Sequence, residues 1–143
     1  SGGTSVNTIA QHAEMLYEFR SDNKDDLAEM EAHLDAALAF YATKGIKITA
    51  TVVGYRPCGI EVDAERHNAL IARTQAAVEK YFGFIPTPGP ASTDCNIPLS
   101  MGIPSVEVSC GRGGGAHTRS EFIEIDSQFS GIKLAFEMIL HHM

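Results

Sequence analysis

Apolar residues recur along this chain with two different periods, and the changes of period divide it into elements. From Val6 to Arg20 strand formers are frequent, and Met15, Tyr17 and Phe19 alternate with Leu16 and Glu18. That spacing predicts one long or bent strand. Ser21-Asp22-Asn23 then offers turn and N-cap side chains, and Leu27, Met30, Leu34, Leu38 and Tyr41 follow at steps of three and four until Gly45. This pattern predicts an amphipathic helix. Ile46, Ile48, Ala50 and Val52 next alternate with Lys47, Thr49 and Thr51, which predicts a strand with one covered and one wetter face. The first unit therefore reads β-α-β.

Tyr55-Arg56-Pro57-Cys58-Gly59 interrupts the periodicity. Beyond it, Asp63 is placed to cap a second helix bearing Leu70, Ile71, Thr74, Val78 and Phe82 on one side, with Gly83 to end it. Pro86, Pro88, Gly89 and Pro90 predict a rigid, exposed connection, and Ser92-Thr93-Asp94 suits the start of a short helical turn. Ser105 to Ser109 reads as a short strand. A glycine loop follows, then a last helix whose apolar face is Phe129, Ile132, Phe136, Ile139 and Leu140. No internal repeat is evident. The fold class expected is α/β, with an α+β character in the first portion.

The 143 residues, 44% of them hydrophobic, suffice for one compact domain or two small ones. A net charge of −7 without a basic run argues against nucleic-acid and anionic-membrane partners, since both require clustered Lys and Arg. No run of about 18 apolar residues and no signal-peptide pattern occurs. Cys58, Cys95 and Cys110 are odd in number and lack paired spacing, so a reducing cytoplasm is expected. The start at Ser-Gly-Gly-Thr rather than Met leads us to expect a piece of a longer protein.

Candidate chemistry concentrates near the end of the chain. Gly111-Arg112-Gly113-Gly114-Gly115 would let backbone N–H groups face a ligand without Cβ obstruction, and a neutral His117 imidazole is a good zinc ligand. A single loop histidine is more often solvated, so spacing alone does not establish a metal site. The glycine run fits neither G-x-G-x-x-G nor a P-loop, and the chain has no G-x-S-x-G, His-Glu-x-x-His or Cys-x-x-Cys. His12, His33, His67, His141 and His142 have no partner at ligand spacing and are not assigned to metal.

Taken together, Ser92-Thr93-Asp94-Cys95-Asn96-Ile97-Pro98, Met101-Gly102-Ile103-Pro104, Gly113-Gly114-Gly115-Ala116-His117-Thr118 and Glu121-Phe122-Ile123 resemble a zinc metallopeptidase family. That family includes carboxypeptidase G, acetylornithine deacetylase and succinyl-diaminopimelate desuccinylase. Gly2-Gly3-Thr4-Ser5-Val6-Asn7-Thr8-Ile9, followed by Arg20, is similar to its lid-domain signature. The resemblance implies a partial lid and dimerisation domain over residues 1–56. Residues 57–143 would then be the helix-strand-helix end of an α/β catalytic domain. It also implies His117 as a metal ligand, Asn7 and Arg20 as a grip on a substrate carboxylate, and Gly114 and Gly115 at the substrate. An arginine fork with a neutral amide beside it is chemically suited to that grip. Arg56 falls where the family carries an Arg-Pro pair leaving the lid, and Asp94 would border the cleft.

The same resemblance implies two zinc ions held by a His-x-Asp motif, a bridging Asp, a Glu-Glu pair and further ligands. Of these only His117 is present, and no Glu-Glu occurs to activate a metal-bound water. No catalytic residue is therefore assigned on this chain, which is expected to bind zinc weakly and to be inactive alone. The whole protein would hydrolyse peptide or N-acyl amide bonds in small carboxylate-bearing substrates, and pair as a homodimer through the lid. The alternative is a non-catalytic dimerisation or ligand-binding module.

Overall fold

The computed structural model describes residues 2–140. Ser1 and residues 141–143 lie outside the described residues, and His141 and His142 with them. The chain separates into two compact units, Ser1–Thr51 and Val52–Met143.

The first unit is built around one helix, α1 (Lys24–Ala42). Asn23 starts it, because its side-chain oxygen accepts the Asp25 N–H at 2.8 Å and satisfies a donor that the first turn leaves open. Asp25 and Asp26 add negative charge at the positive end of the helix dipole. Leu27, Met30, Leu34 and Leu38 are its half-buried stripe, as their spacing predicts. Gly45 reverses the chain at φ 77°, where a Cβ would be strained.

Neither flanking segment is a strand. A single bridge, Gly2 to Ala13, closes a loop, and residues 14–20 and 46–51 belong to no ladder. The expected β-α-β is thus corrected to an α-helix between two segments that form no strand. Alternation of apolar residues records which face wants covering, whereas a strand also needs a neighbour for its N–H and C=O groups. Val6, Ile9, Met15 and Leu16 accordingly remain exposed.

In the second unit, α2 (Ala64–Phe82) and α4 (Ser127–Leu140) pack against each other. Asp63 caps α2 by accepting the Arg66 N–H at 2.9 Å, and Gly83, left-handed at φ 78°, ends it by donating to the Glu79 carbonyl. Ala77, Val78 and Leu134 form the buried core, with Tyr81, Phe82, Val108 and Met138 packed around it. Buried Thr74 satisfies its hydroxyl on the Leu70 carbonyl at 2.8 Å. Between these helices lie the short α3 (Asn96–Ser100) and a two-stranded antiparallel sheet, β1 (Gly113–Gly114) with β2 (Phe122–Ile123). Residues 105–109 join no ladder, which corrects the strand expected there. Val108 nonetheless contributes to the core. Helices with one small antiparallel sheet are compatible with an α+β class. No parallel sheet forms among the described residues.

An ion pair locks the α2–α4 contact: Glu137 accepts from Lys80 Nζ and from the Tyr81 hydroxyl, each at 2.6 Å. The Glu137 hydrogen bond, and after it that of Tyr81, raise the Lys80 pKa above its ordinary value. A lysine pKa raised by folding stabilises the fold fully below the ordinary lysine range, and that contribution disappears as pH climbs through the folded value. Thermal melts from neutral to strongly alkaline pH should therefore show a decline that flattens in Lys80→Met. Because the ammonium is more than half exposed, the difference will be small. Equal declines in both proteins would show that this pair contributes nothing.

Candidate functional site

His117 sits in the connection between β1 and β2. Gly113 pairs with Ile123 and Gly114 with Phe122, and residues 115–121 make the return. Thr118 fastens that return by donating its hydroxyl to the Gly115 carbonyl at 2.6 Å and accepting the Ser120 N–H at 3.2 Å. His117 donates its own backbone N–H to Glu121 Oε2 at 3.2 Å. Its φ is 64°, and it is the non-glycine residue with positive φ among the described residues. Histidine tolerates this left-handed region better than most residues, yet the conformation still costs free energy and places the exposed side chain on the outside of the turn.

The glycines have a structural reason as well. A Cβ on Gly113 would overlap the Phe122 carbonyl oxygen, and one on Gly115, already at φ 68°, would lie 2.9 Å from the Ser120 carbonyl oxygen. A Cβ on Gly114 would come within 3.0 Å of the Phe122 ring. Close cross-strand packing thus requires them, independently of any ligand.

Three residues that sequence reasoning left without a role hold this loop on the helices. Arg112 donates a guanidinium N–H to the Phe82 carbonyl at 2.8 Å at the end of α2, and its guanidinium lies 5.7 Å from the Phe82 ring centroid. Its backbone N–H donates to Ser127 Oγ at 2.8 Å, at the start of α4. Gly131, buried in α4, lets the helix lie directly on the Cys110 carbonyl, which an added Cβ would overlap. An arginine inside a glycine run was the available signal for the first. Gly131, a helix breaker in the middle of a helical pattern, signalled the last.

The substrate-anchor candidates lie in the first unit. Asn7 Oδ1 accepts the Ser5 hydroxyl at 2.9 Å in an exposed turn. Arg20 Nε donates to Glu18 at 2.6 Å, and that guanidinium holds the Glu18 carboxyl below the usual carboxylate range. Both sites face solvent, so a substrate carboxylate would compete with Glu18 for Arg20. In the second unit Arg56 donates to the Ser92 carbonyl at 2.6 Å and lies 3.6 Å from the fully exposed Asp94 carboxylate. Asn96 reaches the Pro57 carbonyl at 3.2 Å. Together these bonds tie residues 56–57 to the start of α3.

An open depression of about 460 Å³ borders Asp94 and Cys95 over an apolar floor of Leu70, Pro98, Val106 and Met138. His117 does not line it. Among the described residues no three His, Cys, Asp or Glu side chains converge to hold a metal ion. No known protein family, no curated protein and no solved structure matches the chain. No helix of the described residues is long and apolar enough to cross a membrane.

Proposed function

We propose that this chain carries part of the active-site residues of a zinc-dependent exopeptidase or N-acyl-amino-acid deacylase. In this reading His117 supplies one metal ligand, and Asn7 and Arg20 anchor the substrate carboxylate. Gly114 and Gly115 lie beside the substrate. The remaining ligands and the general base come from polypeptide beyond these residues, so the chain alone is inactive. The observation that carries the reading is the left-handed backbone of His117, held by an ordered turn on a hairpin that both helices brace. A strained residue at the position that sequence nominates for chemistry is where function is expected to override local preference. Residues 15–20, which join no ladder, support pairing of two lids through this segment. The thiols of Cys95 and Cys110 suit a reducing cytoplasm.

Zinc titration followed by NMR tests the reading. We expect the His117 imidazole and residues 113–121 to respond with weak affinity, on the order of 0.1 mM or poorer, as a single histidine ligand implies. The response should vanish in His117→Ala, and purified chain should not hydrolyse acyl-amino acids. Zinc binding centred on His33 or His67, or zinc-dependent turnover by the chain alone, would overturn it.

A second reading, a non-catalytic dimerisation or ligand-binding module, draws support from the apolar surface that both units expose.

A further inference from the structure

Helix α4 has two apolar faces. Leu134 and Met138 face the core, and buried Gly131 lies against Cys110. Roughly opposite, at about 100° per residue, Phe129, Ile132, Phe136, Ile139 and Leu140 form a second stripe. Each of the five is more than half exposed, from 53% at Leu140 to 67% at Phe129. These five are the apolar face that the sequence assigns to this helix, and the structure leaves it exposed.

We propose that this stripe is an interface between two copies of the chain, with their α4 helices antiparallel about a two-fold axis passing beside residue 134. The order of side chains makes the stripe self-complementary. An antiparallel two-fold sets Phe129 against the partner copy's Ile139 and Ile132 against its Phe136, so each layer matches a ring with a branched aliphatic chain. A symmetric interface demands this kind of reciprocity. Lys133 lies at the edge of the stripe and Glu137 is held by α2, which keeps the rim polar around an apolar centre.

The area is sufficient for a weak dimer. At roughly 200 Å² for a fully exposed large side chain, the five expose at most about 600 Å² per copy and about 1,200 Å² in total, near the lower edge of specific interfaces. Buried area does not set affinity, and a dissociation constant on the order of 10 μM is the working figure for the test. The inference concerns α4 alone and does not depend on the zinc reading, which the His117 titration decides separately.

Sedimentation velocity of the full chain over a range from about 1 to 200 μM, bracketing that constant, is the test. Wild type should pass from monomer to dimer. Ile132→Lys and Phe136→Glu should each remain monomeric, because each buries an unpaired charge twice in a homodimer. An equimolar mixture of the two should regain the dimer, because in the stated register the introduced lysine meets the introduced glutamate. Both positions are exposed, and unchanged far-UV circular dichroism will show that the variants fold. A monomeric wild type would overturn the proposal and leave the stripe to a different partner. Variants that still dimerise would assign association to another surface, such as residues 14–20. A mixture that stays monomeric would refute the antiparallel register.

Discussion

Leu134→Ala should destabilise the second unit by about 3 kcal/mol, read as a lowered urea midpoint at constant slope. The side chain is fully buried, and its neighbours Ala77, Val78, Tyr81, Phe82, Val108 and Met138 come from α2, α4 and the segment before the glycine loop. Removing it takes away the transfer free energy of three carbons and leaves a cavity where three parts of the chain converge. Collapse into that space would require α2 and α4 to approach each other, and Ala77 is already small. The loss is a large share of the stability of a unit whose buried core is Ala77, Val78 and Leu134. Leu134→Met, which conserves volume, should cost less than about 1.5 kcal/mol. Ile125→Ala, at a residue 74% exposed, should shift the midpoint by no more than about 0.5 kcal/mol. If Leu134→Ala behaves like Ile125→Ala, the core has been placed wrongly.

The helices were legible because their signals are local. Asn23, Asp63 and Gly83 each act on the turn beside them, and the structure uses all three as the sequence suggests. The strands were misread for the complementary reason. Val6 to Arg20 and Ile46 to Val52 have the alternation of a strand, but pairing is a relation between segments, and among the described residues the first has one isolated bridge, Ala13 to Gly2, and the second joins no ladder. Helix α4 shows a third case. Its largest side chains face outward, whereas Gly131 and Leu134 make the buried contact, because close approach of Cys110 needs a residue without a Cβ and bulk alone does not reveal that.

The candidate site was legible in the same uneven way. The residue types around His117 were enough to nominate the loop, while its left-handed backbone and its bracing by Arg112 and Ser127 are properties of the folded hairpin. Asn7 and Arg20 were nominated by resemblance, and locally they do what short amides and exposed arginines usually do, bonding to Ser5 and Glu18.

Gly131→Ala separates packing from propensity most sharply. In a helix interior alanine is favoured over glycine by roughly 0.5–1 kcal/mol, so a free helical glycine would gain stability from the change. At Gly131 the added carbon would overlap the Cys110 carbonyl oxygen, a backbone atom that no side-chain rotation can move aside. Overpacking of this kind commonly costs about 1–3 kcal/mol and here should outweigh the propensity gain, giving a net loss of about 2 kcal/mol by urea unfolding. Gly54→Ala, where an added Cβ meets nothing within 4 Å, should be neutral or slightly stabilising. The consequence extends past stability. Cys110 leads directly into Arg112, whose bonds to Phe82 and Ser127 hold the hairpin that carries His117. Displacing Cys110 should break the Arg112–Ser127 bond and speed amide exchange at Arg112. The same displacement should weaken the zinc response of His117 without altering any residue of its turn. If Gly131→Ala is as stable as wild type, then α4 does not rest on Cys110, and the bracing of the His117 loop by that helix fails with it.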